Sequence, residues 1–590
     1  MLRTHTCGQI NLDDVGKKVM LAGWVSSIRD HGNIIFFDLR DRYGITQIVC
    51  NLPELTPELL ELVNKVRQEF VIQISGSVVA RSPETVNPKI STGSIEVILE
   101  DAKILNTSDA LPFEIQEGEN IGENIRLKYR YLDLRRDSIK ENIIFRSDFV
   151  LKMREFFSSE NFVEIETPIL TKSTPEGARD FLVPSRLNPG SFYALPQSPQ
   201  LFKQMLMISG FDRYYQIARC FRDEDLRSDR QPEFTQVDIE MSFIEEQDIM
   251  DISERLIKYS VEKTSNIKVD VPFPRLTYKK AIEKYGTDKP DIRFGMEIIE
   301  LSESMANSGS SIIESVLQEG GRVKGLLIEN GESISIKDVD NFNEFVKQKG
   351  GKGIGWIRFR ENEIASPIKK SLKEQTIKNL RESLKITPGS LLFFLGGETS
   401  WVCNILGEMR TEIAKKLNLV KEEIFKFLWV VDFPLFEINP DEDRIQCVHH
   451  PFTSPQYDDI DTLDKDPLKI KSRAYDLVLN GIEIGGGSIR IHQRKLQEKI
   501  FSILGMKPEE YNEKFGFLLD ALGYGAPPHG GLAFGLDRMV MILRNEESIR
   551  ETIPFPKTQK GVCLLSGAPS PVDRKQISDL HIKVDFQTKQ

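Results

Sequence analysis

The sequence predicts a multidomain α+β fold, and three features of the chain carry that prediction. Its 590 residues exceed what one hydrophobic core usually organises, so several domains are expected. The first hundred residues alternate in short apolar runs, as the strands of a small β-barrel do. Farther along, a helical run over about 138–160 precedes two β-rich runs that flank a densely charged loop. These blocks predict a barrel followed by a larger domain of strands and helices.

The barrel is predicted from five short runs of strand character. They are Val19–Val25, Asn33–Leu39, Ile45–Val49, Phe70–Val79 and Ser94–Ala102. Five short strands are typical of an OB-fold, which binds single-stranded bases by stacking and by contacts to base edges. The alternative is a purely structural barrel, and we expect Phe36 or Phe37 to fill the core in either case.

The composition narrows the class of protein. A formal net charge of −11 argues against a protein that coats nucleic acid indiscriminately, but it permits a local basic surface for one folded RNA. The six cysteines lack the spacing of a zinc site or a disulfide framework, which indicates a reducing compartment. No signal-peptide pattern and no run of about 18 apolar residues occurs. A soluble cytoplasmic protein without membrane contact is therefore expected.

The most informative segment is the charged loop between the two β-rich runs. Tyr214–Arg222 and Glu233–Phe243 predict antiparallel strands, with Pro232 ending the loop between them. The strand period of two puts four residues on one face of the second strand: Phe234, Gln236, Asp238 and Glu240. An aromatic plate for a base would lie beside polar groups, and Arg222 offers a planar fork for phosphate or carboxylate oxygens. A solvated hairpin tip with ordinary salt bridges would give the same pattern.

A second segment favours the nucleotide-binding interpretation. Pro527–Arg538 places glycines at 530, 531 and 535, where the backbone could approach a ligand closely. Arg538 stands where a helix should begin, a natural position for meeting a phosphate. Together, the two segments resemble motifs 2 and 3 of class II aminoacyl-tRNA synthetases, in the form found in aspartyl-tRNA synthetases. Asn161–Pro168, which follows the helical run, resembles motif 1 of the same family.

The resemblance covers nearly the whole chain and implies an order of domains. It implies an OB-fold that reads the anticodon, a catalytic domain on an antiparallel sheet, and an α/β insertion of the bacterial type that Gly350–Ile357 fits. The predicted boundaries are 1–107 for the OB-fold, 108–137 for a hinge, 138–294 and 418–556 for the catalytic domain, 295–417 for the insertion and 557–590 for a C-terminal extension. The basic run Arg126–Arg136 predicts either an RNA-contacting helix start or a charged packing face.

The resemblance also implies an activity and its partners. Such enzymes ligate L-aspartate to tRNA(Asp) through an aspartyl-adenylate made from ATP, with Mg²⁺ as cofactor, and they form homodimers through motif 1. Adenylate formation needs positioning and charge neutralisation more than acid-base groups. The resemblance assigns catalysis to Arg222, Glu483 and Arg538. It assigns ATP binding to Arg222, Asp223, Glu224, Gln231, Phe234, Glu483, Gly535, Leu536, Asp537 and Arg538, with Phe234 stacked on adenine.

An aspartate pocket is predicted from a lysine and an arginine. Gln197–Lys203 predicts a helix start that turns Lys203 inward, and Arg490 follows a glycine-rich strand. Two cations aimed at one cavity would select a side-chain carboxylate, and Asp238 would orient the lysine. An isolated lysine more often pairs with a surface acid, but the surrounding segment matches the family. By resemblance, aspartate is bound by Glu176, Gln200, Lys203, Arg222, Asp238, His449 and Arg490; His449 could otherwise be a satisfied core histidine.

The turn at Asn480-Gly481 predicts a magnesium site. Asn-Gly is a strong signal for a two-residue hairpin, so Val478 should face Glu483. Asp476 would then lie diagonally across from Glu483, with about 7–8 Å between the backbones. Both carboxylates could reach one ion, or two neighbouring ions, that bridge ATP phosphates. Asp476 and Glu483 are therefore the predicted metal ligands, and two repelling surface acids are the alternative.

Six positions of the barrel match the residues that read the anticodon in this family. They are Arg29, His31, Phe36, Gln47, Arg67 and Glu96. At the loop of His31, family members differ between enzymes strict for tRNA(Asp) and relaxed enzymes that also charge tRNA(Asn). A histidine leans toward the relaxed type, but one position leaves the choice open.

Two further interpretations remain at this point. Asparaginyl- and lysyl-tRNA synthetases share the same plan, but they should not aim Lys203 and Arg490 together at a carboxylate. A non-catalytic RNA-binding paralogue should have lost Arg222, Glu483 or Arg538, and all three are present. A direct screen of amino-acid activation would separate these possibilities.

Overall fold

The structure is a computed structural model that describes residues 1–116, 120–174, 177–440, 442–457 and 462–584. The chain divides into two units, Met1–Ile121 and Gly122–Gln590. Each unit has its own hydrophobic core. None of the helices in the described ranges is both long and apolar enough to cross a membrane.

The first unit is a closed barrel of five strands, and it confirms the OB-fold prediction. The strands are β1 (Lys18–Asp30), β2 (Ile34–Arg40), β3 (Ile45–Asn51), β4 (Val71–Ala80) and β5 (Ile95–Asn106), with helix α1 (Pro57–Lys65) between β3 and β4. They close in the order β1-β2-β3-β5-β4. Alternate residues point inward, so Phe37 is buried in the core while Phe36 is half-buried on the outer face.

The second unit is built on a sheet of eight strands. They are β6 (Val163–Glu164), β9 (Arg213–Phe221), β10 (Glu233–Ser242), β11 (Arg275–Thr277), β17 (Phe427–Val431), β20 (Ala474–Leu479), β21 (Ile482–Ile489) and β22 (His529–Gly535). Their order is β11-β17-β20-β21-β22-β10-β9-β6. Only the edge pairs β11 with β17 and β6 with β9 are parallel among these strands. The predicted antiparallel sheet is therefore confirmed.

Helices pack on this sheet or against one another beside it. They include α4 (Asp137–Ser159), α5 (Gln200–Ile208), α6 (Glu246–Thr264), α7 (Tyr278–Tyr285), α13 (Arg494–Ile503), α14 (Pro508–Leu522) and α15 (Leu536–Leu543). The main core joins apolar residues of α4, α6 and α15 to the inner strands. The helix predicted over 138–160 is confirmed as α4. Two small hairpins, β7 (Leu182–Pro184) with β8 (Phe192–Ala194) and β18 (Phe436–Asn439) with β19 (Arg444–Cys447), lie outside the main sheet.

A separate five-stranded sheet lies within the region predicted as the insertion. Its strands are β12 (Ile299–Glu300), β13 (Arg322–Ile328), β14 (Gly355–Phe359), β15 (Ile364–Ala365) and β16 (Leu391–Gly397). The accompanying helices are α8 (Ser302–Met305), α9 (Ser311–Gln318), α10 (Ile336–Gln348), α11 (Glu374–Ser383) and α12 (Thr399–Lys416). Neighbouring residues of β16 enter different cores, Phe393 with α10 and α12 and Leu392 with α8 and α11. This sheet is therefore covered by helices on both faces.

The basic run within the predicted hinge is a packing face. Helices α2 (Glu123–Lys128) and α3 (Arg130–Asp133) contain most of it. Arg126 pairs with Asp133 at 2.9 Å and with Glu551 at 2.6 Å. Arg130 is 1% exposed and donates hydrogen bonds to three backbone carbonyls between 550 and 554. Residues 122–137 of the predicted hinge thus belong to the second unit. The last helix, α16 (Arg574–Asp579), follows in the predicted C-terminal extension.

Candidate functional site

Four adjacent strands bring the predicted site residues of the second unit together. Strand β10 pairs with β9 on one side and with β22 on the other, and β22 also pairs with β21. The register sets Glu240 opposite Gly531, and Gly531 opposite Ser488 on β21. Because β10 is central, Asp238 and Glu240 are both fully buried. Helix α5 crosses this region and supplies Lys203.

The predicted pair of cations is present, and it is held by two buried acids. Lys203 Nζ lies 2.5 Å from an Asp238 oxygen and 3.3 Å from a Glu240 oxygen. Arg490 donates from Nε and Nη2 to the Glu240 carboxylate at 3.0 and 3.2 Å. Both cations are almost fully buried, at 2% and 4% exposed. Glu240 is the anion that the two cations share, and its role was not predicted.

Burial and pairing act against each other on these groups. Burial alone would raise the pKa of Glu240, but Arg490 and Lys203 hold it below its ordinary value. Burial likewise opposes the charge of Arg490, and Glu240 nevertheless raises the pKa of its guanidinium. For Asp238, burial is stronger than the pull of Lys203, so its pKa is raised. Glu240 therefore keeps its negative charge more readily than Asp238 does.

Two polar atoms beside this cluster have hydrogen-bonding capacity to spare. Gln200 Nε2 and Asp238 Oδ2 are buried and lack a hydrogen-bond partner within the described ranges. Arg490 Nη1 donates to Ser488 Oγ at 2.8 Å, and with its two bonds to Glu240 this leaves further N–H groups of the five on a guanidinium. Buried polar groups are ordinarily satisfied. These atoms can therefore receive a polar ligand.

Two of the three glycines that precede Arg538 make room for neighbouring protein atoms and not for the predicted ligand. A Cβ at Gly531 would lie 2.0 Å from a Glu240 oxygen and 2.1 Å from the Ile239 carbonyl oxygen. A Cβ at Gly530 would lie 2.7 Å from the Ile489 side chain. The expectation that both glycines give a ligand access to the backbone is therefore wrong, because neighbouring strands fill that space. Of these three glycines, only Gly535 has open surroundings, because a Cβ there would lie 3.8 Å from the nearest atoms, in Arg538 and Ile484.

Arg222 and Phe234, the predicted fork and plate for a nucleotide, lie next to each other. The Arg222 guanidinium lies 5.0 Å from the centre of the Phe234 ring. Within the part of the chain that the structure describes, this guanidinium has no carboxylate partner. A cavity of about 590 Å³ opens nearby, and its lining includes Asp223, Glu224 and Lys557. Gln231 is instead occupied by backbone, because it exchanges two hydrogen bonds with the main chain of Lys557.

Arg538 lies in the first turn of α15, as predicted. Its guanidinium pairs with Asp229 at 3.1 Å and donates to the backbone oxygen of Glu483 at 3.1 Å. Asp229 belongs to the charged loop and was not predicted as a site residue. A bound anion could replace Asp229, because the Arg538 guanidinium is a charged hydrogen-bond donor and is partly exposed.

Asp537 has a structural partner on each side. Its carboxylate accepts the Thr235 backbone N–H at 2.7 Å and pairs with Arg146 of α4. Leu536 and Asp537 are buried, at 1% and 3% exposed. The Asp537 carboxylate therefore links α15 to β10, the strand that carries Phe234. Binding of this side chain to ATP would break that link.

The two predicted metal ligands converge, although the register differs from the prediction. Val478 faces Glu483 as predicted, but a bulge follows, so Asp476 faces Gly486 instead of Gly485. A Cβ at Gly486 would lie 2.8 Å from Asp476 Oδ1 and 3.5 Å from Glu483 Oε1. The simple diagonal between the strands was wrong, because a β-bulge adds one residue to β21.

Two cationic or basic side chains already accompany these acids. Lys289 Nζ lies 2.8 Å from Glu483 Oε2. Burial would raise the pKa of Glu483, but Lys289 holds it below its ordinary value. Burial raises the pKa of Asp476 in spite of His449. In the described segments no group of three or more His, Cys, Asp or Glu side chains has metal-binding geometry.

His449 lies against Asp476. Its Nε2 atom is 3.3 Å from Asp476 Oδ1, and its ring meets Phe433 edge-on. Burial alone would lower the pKa of His449, but Asp476 raises it above the ordinary 6.5. The histidine is thus placed at the acid pair rather than next to Lys203. Glu176, also predicted to bind aspartate, falls outside the described residues.

In the barrel, three of the six predicted anticodon-binding residues, Arg29, Gln47 and Glu96, form one polar network. Arg29 pairs with Asp38 at 2.6 Å and donates to Gln47 at 3.0 Å. Gln47 donates to Glu96 at 2.9 Å. His31 and Phe36 touch at 5.6 Å between ring centres, next to this network. Arg67 makes different hydrogen bonds, because its guanidinium donates to the carbonyls of Asn64 and Val66.

Two family models match the chain over the regions just described. Residues 122–559 match the family described as tRNA synthetases class II (D, K and N), which is more than half of the chain. The chain belongs to this family. Residues 19–105 match the OB-fold nucleic acid binding domain. The predicted membership of the class II tRNA synthetases is thus confirmed.

Relatives of this class II tRNA synthetase extend along its whole length. A protein of Caldanaerobacter subterraneus subsp. tengcongensis named aspartate-tRNA(Asp/Asn) ligase is 53% identical over 99% of the chain and 98% of its own length. A protein of Aquifex aeolicus with the same name is 51% identical, again over 99% of the chain and 98% of its own length.

Solved structures share the fold. Asparaginyl-tRNA synthetase from Pyrococcus horikoshii, complexed with asparaginyl-adenylate, matches with a TM-score of 0.61 at 20% identity, over 95% of this chain and 99% of its own. A putative aspartyl-tRNA synthetase from Leishmania major matches with a TM-score of 0.57 at 20% identity, over 92% of each chain. At such identity the likeness speaks for the fold alone.

Proposed function

We propose that this class II tRNA synthetase ligates L-aspartate to tRNA(Asp) through an aspartyl-adenylate formed from ATP, and that it also charges tRNA(Asn). The observation that carries the choice of amino acid is the buried pair Lys203 and Arg490, which converge on Glu240. Full-length relatives named aspartate-tRNA(Asp/Asn) ligase support the same substrates.

Formation of the adenylate follows from the placement of the cations. One oxygen of the aspartate α-carboxylate attacks the α-phosphorus of ATP, a P–O bond forms, and pyrophosphate leaves with the electrons of the broken bond. Arg222 would neutralise charge at the attacking carboxylate and α-phosphate, and Arg538 would bind the far end of the phosphates. Phe234 would stack on adenine. A terminal ribose hydroxyl of the tRNA then attacks the aspartyl carbonyl carbon, and AMP leaves. Preorganised charge accounts for such catalysis without a protein nucleophile.

The acid pair fits a divalent cation shared with ATP. Asp476 and Glu483 present carboxylate oxygens toward the same position above Gly486. Mg²⁺ in nucleotide sites is usually bound by one or two carboxylates, with substrate phosphates and water as the other ligands. When bound, the ion would withdraw charge from the phosphates. Asp476 and Glu483 would hold it, and Arg538 is anchored to the backbone of Glu483.

The charge state of the pocket separates aspartate from the related amino acids. A lysyl pocket needs an acid that is free to pair with the substrate, but Asp238 and Glu240 are already paired with cations. An asparagine side chain would bring NH₂ donors against Lys203 and Arg490. Sites that demand a specific polar partner reject an analogue by about 10⁴ or more, so no editing site is required.

Amino-acid activation tests the assignment directly. ATP-pyrophosphate exchange with aspartate, asparagine and lysine should be strong for aspartate alone. Glu483→Gln should weaken the exchange and shift its dependence on magnesium. Exchange that is unchanged across a magnesium titration would show that Glu483 does not bind the metal.

Charging assays address the choice of tRNA. Purified tRNA(Asp) and tRNA(Asn) should both accept aspartate. The family resemblance supports this choice, because a histidine at position 31 leans toward the relaxed type; His31 contacts Phe36 on the barrel. Charging of tRNA(Asp) alone would make the enzyme strict and leave its amino-acid specificity intact.

We also infer a homodimer formed through motif 1, in a reducing, cytoplasmic setting. Four large apolar side chains on α4, in the motif 1 segment and directly after it are each about half exposed: Leu151, Val163, Ile169 and Leu170. Exposed apolar groups of this kind mark protein interfaces. All six cysteines are free thiols, as a reducing compartment requires. Sedimentation should give the mass of two chains, and Val163→Lys should shift it toward one.

A further inference from the structure

Lys289 lies in a segment that leads from the catalytic sheet to the insertion, and the activity just proposed does not use it. The segment follows α7 and ends before β12. The lysine reaches back to the acid pair, where its Nζ is 2.8 Å from Glu483 Oε2. Its side chain is 39% exposed and that of Glu483 is 30% exposed, so water and ions reach the pair.

The backbone that follows Lys289 is fixed by contacts with the hairpin turn and with α12. Gly481 of the hairpin turn packs so closely that a Cβ there would lie 3.1 Å from the Cβ of Asp291. Arg410 of α12 donates to the backbone oxygens of Asp291, Phe294, Gly295 and Met296. Its guanidinium also lies 4.1 Å from the Phe294 ring centre. The lysine is therefore presented to Glu483 by an anchored segment.

Lys289 and a divalent cation would seek the same carboxylate. Glu483 and Asp476 together bring two negative charges to one place, and Lys289 pairs directly with Glu483. An ammonium group 2.8 Å from one oxygen of Glu483 repels a divalent cation that approaches the same carboxylate, and the two cations compete for its negative charge. Ion pairs this exposed also contribute little to stability, so a role as a structural tie is a poor explanation.

We propose that Lys289 is a resident counter-ion, which neutralises Glu483 until a divalent cation displaces it and thereby sets the affinity of the site for that cation. The proposal rests on the metal-binding part of the proposed function. It makes Lys289 a positioning residue, because it acts through Glu483.

Direct binding of Mn²⁺, measured by electron paramagnetic resonance without ATP, tests the proposal apart from activity. Lys289→Met should bind Mn²⁺ at least about fivefold more tightly than the wild type does. The substitution removes an ammonium group that competes for Glu483 and repels the metal ion. Lys289→Arg keeps the charge and should bind like the wild type. Lys258→Met is the matched control, since Lys258 pairs with Glu262 at 3.0 Å with a similar exposure of 43% and 25%.

The outcomes separate this proposal from the metal assignment. Equal binding by Lys289→Met and the wild type, whether detectable or not, overturns the role of Lys289. If Glu483→Gln also binds like Lys289→Met, the metal assignment itself fails. Thermal unfolding in EDTA verifies that each variant is folded, and Lys289→Gln replaces Lys289→Met should the latter unfold early.

Discussion

Two charged networks, one in the barrel and one in the catalytic sheet, use the same residue types in opposite environments. In the barrel, Arg29 and Asp38 are 43% and 20% exposed in their side chains. In the sheet, Arg490 and Glu240 are 5% and 0% exposed. Both are arginine-carboxylate pairs extended by further polar side chains. What differs is the access of water.

This difference sets what each network can recognise. Water can replace each contact of the Arg29 network, so its bonds can be exchanged for contacts to RNA bases at little cost. A buried pair that loses one partner costs about 3–5 kcal/mol, since water cannot compensate the remaining charge. The buried network therefore suits strict selection of a small charged ligand. The exposed one suits reading a larger and adaptable surface.

The largest effect is expected from Arg490→Leu, which breaks the buried network. It should lower kcat/KM for aspartate by about 10³ or more, raise the KM for aspartate far more than that for ATP, and narrow the preference over asparagine. Steady-state ATP-pyrophosphate exchange measures all three. Arg473→Leu is the control, because Arg473 is a comparably buried arginine paired with Glu245 and Glu246. Normal aspartate activation by Arg490→Leu would mean that the pocket lies elsewhere.

Glu240→Gln tests whether Glu240 balances the positive charges of Lys203 and Arg490. Two cations would then share only Asp238, which costs about 3 kcal/mol in the free enzyme. The carboxylate of aspartate restores the balance, so aspartate should raise the thermal midpoint more in the variant than in the wild type. Glu69→Gln in the barrel, which breaks the pair with Arg40, should lower the midpoint without this response. An identical aspartate shift in Glu240→Gln and wild type would contradict the shared-anion role.

In the barrel, Arg29→Leu should affect tRNA and leave the amino acid alone. The expected loss in kcat/KM for tRNA is about 10- to 100-fold, or about 1–3 kcal/mol, with unchanged aspartate activation. Its stability should change by about 0.5 kcal/mol or less, because the pair is exposed. Arg3→Leu removes another barrel arginine, paired with Asp41 at 2.8 Å, and should leave charging intact. Equal charging by both variants would remove the barrel network from tRNA recognition.

The smallest effect concerns pH and His449, which lies among Asp476, Glu483 and Asp288. Its pKa is raised above 6.5 in the folded protein, so the stabilisation from its proton is complete below 6.5 and is lost as pH rises through the raised value. The midpoint of thermal unfolding, measured without magnesium, should therefore fall over that window as the charged pair of His449 with Asp476 is lost. His449→Gln should flatten the profile. His492→Gln should not, because burial lowers the pKa of His492.

Much of the fold followed from local patterns. Strand alternation gave the barrel, and the Asn480-Gly481 turn gave the pairing of Val478 with Glu483. The bulge that moves Asp476 to Gly486 carries no turn signal of its own, so its register was missed. Strand period placed Asp238 and Glu240 on one face, but only the packed sheet brings Arg490 to Glu240.

Other site residues depend on contacts that are distant in the sequence. Asp229 meets Arg538, and Lys289 meets Glu483, across long separations without a local signal. Asp537 was predicted to bind ATP because of its position in the segment, yet Thr235 and Arg146 occupy its carboxylate. The assignments to Arg222, Lys203, Arg490 and the barrel residues stay predictions until the experiments are done.

Gly531 limits how this enzyme could acquire another amino-acid specificity. The glycine touches no predicted substrate group, yet any larger residue would place an atom where a Glu240 oxygen lies. Gly531→Ala should therefore displace the Glu240 carboxylate and disturb its pairs with Arg490 and Lys203. A pocket with another specificity, whether designed or evolved, therefore has to keep glycine at position 531. The alternative is to replace Glu240, Lys203 and Arg490 together.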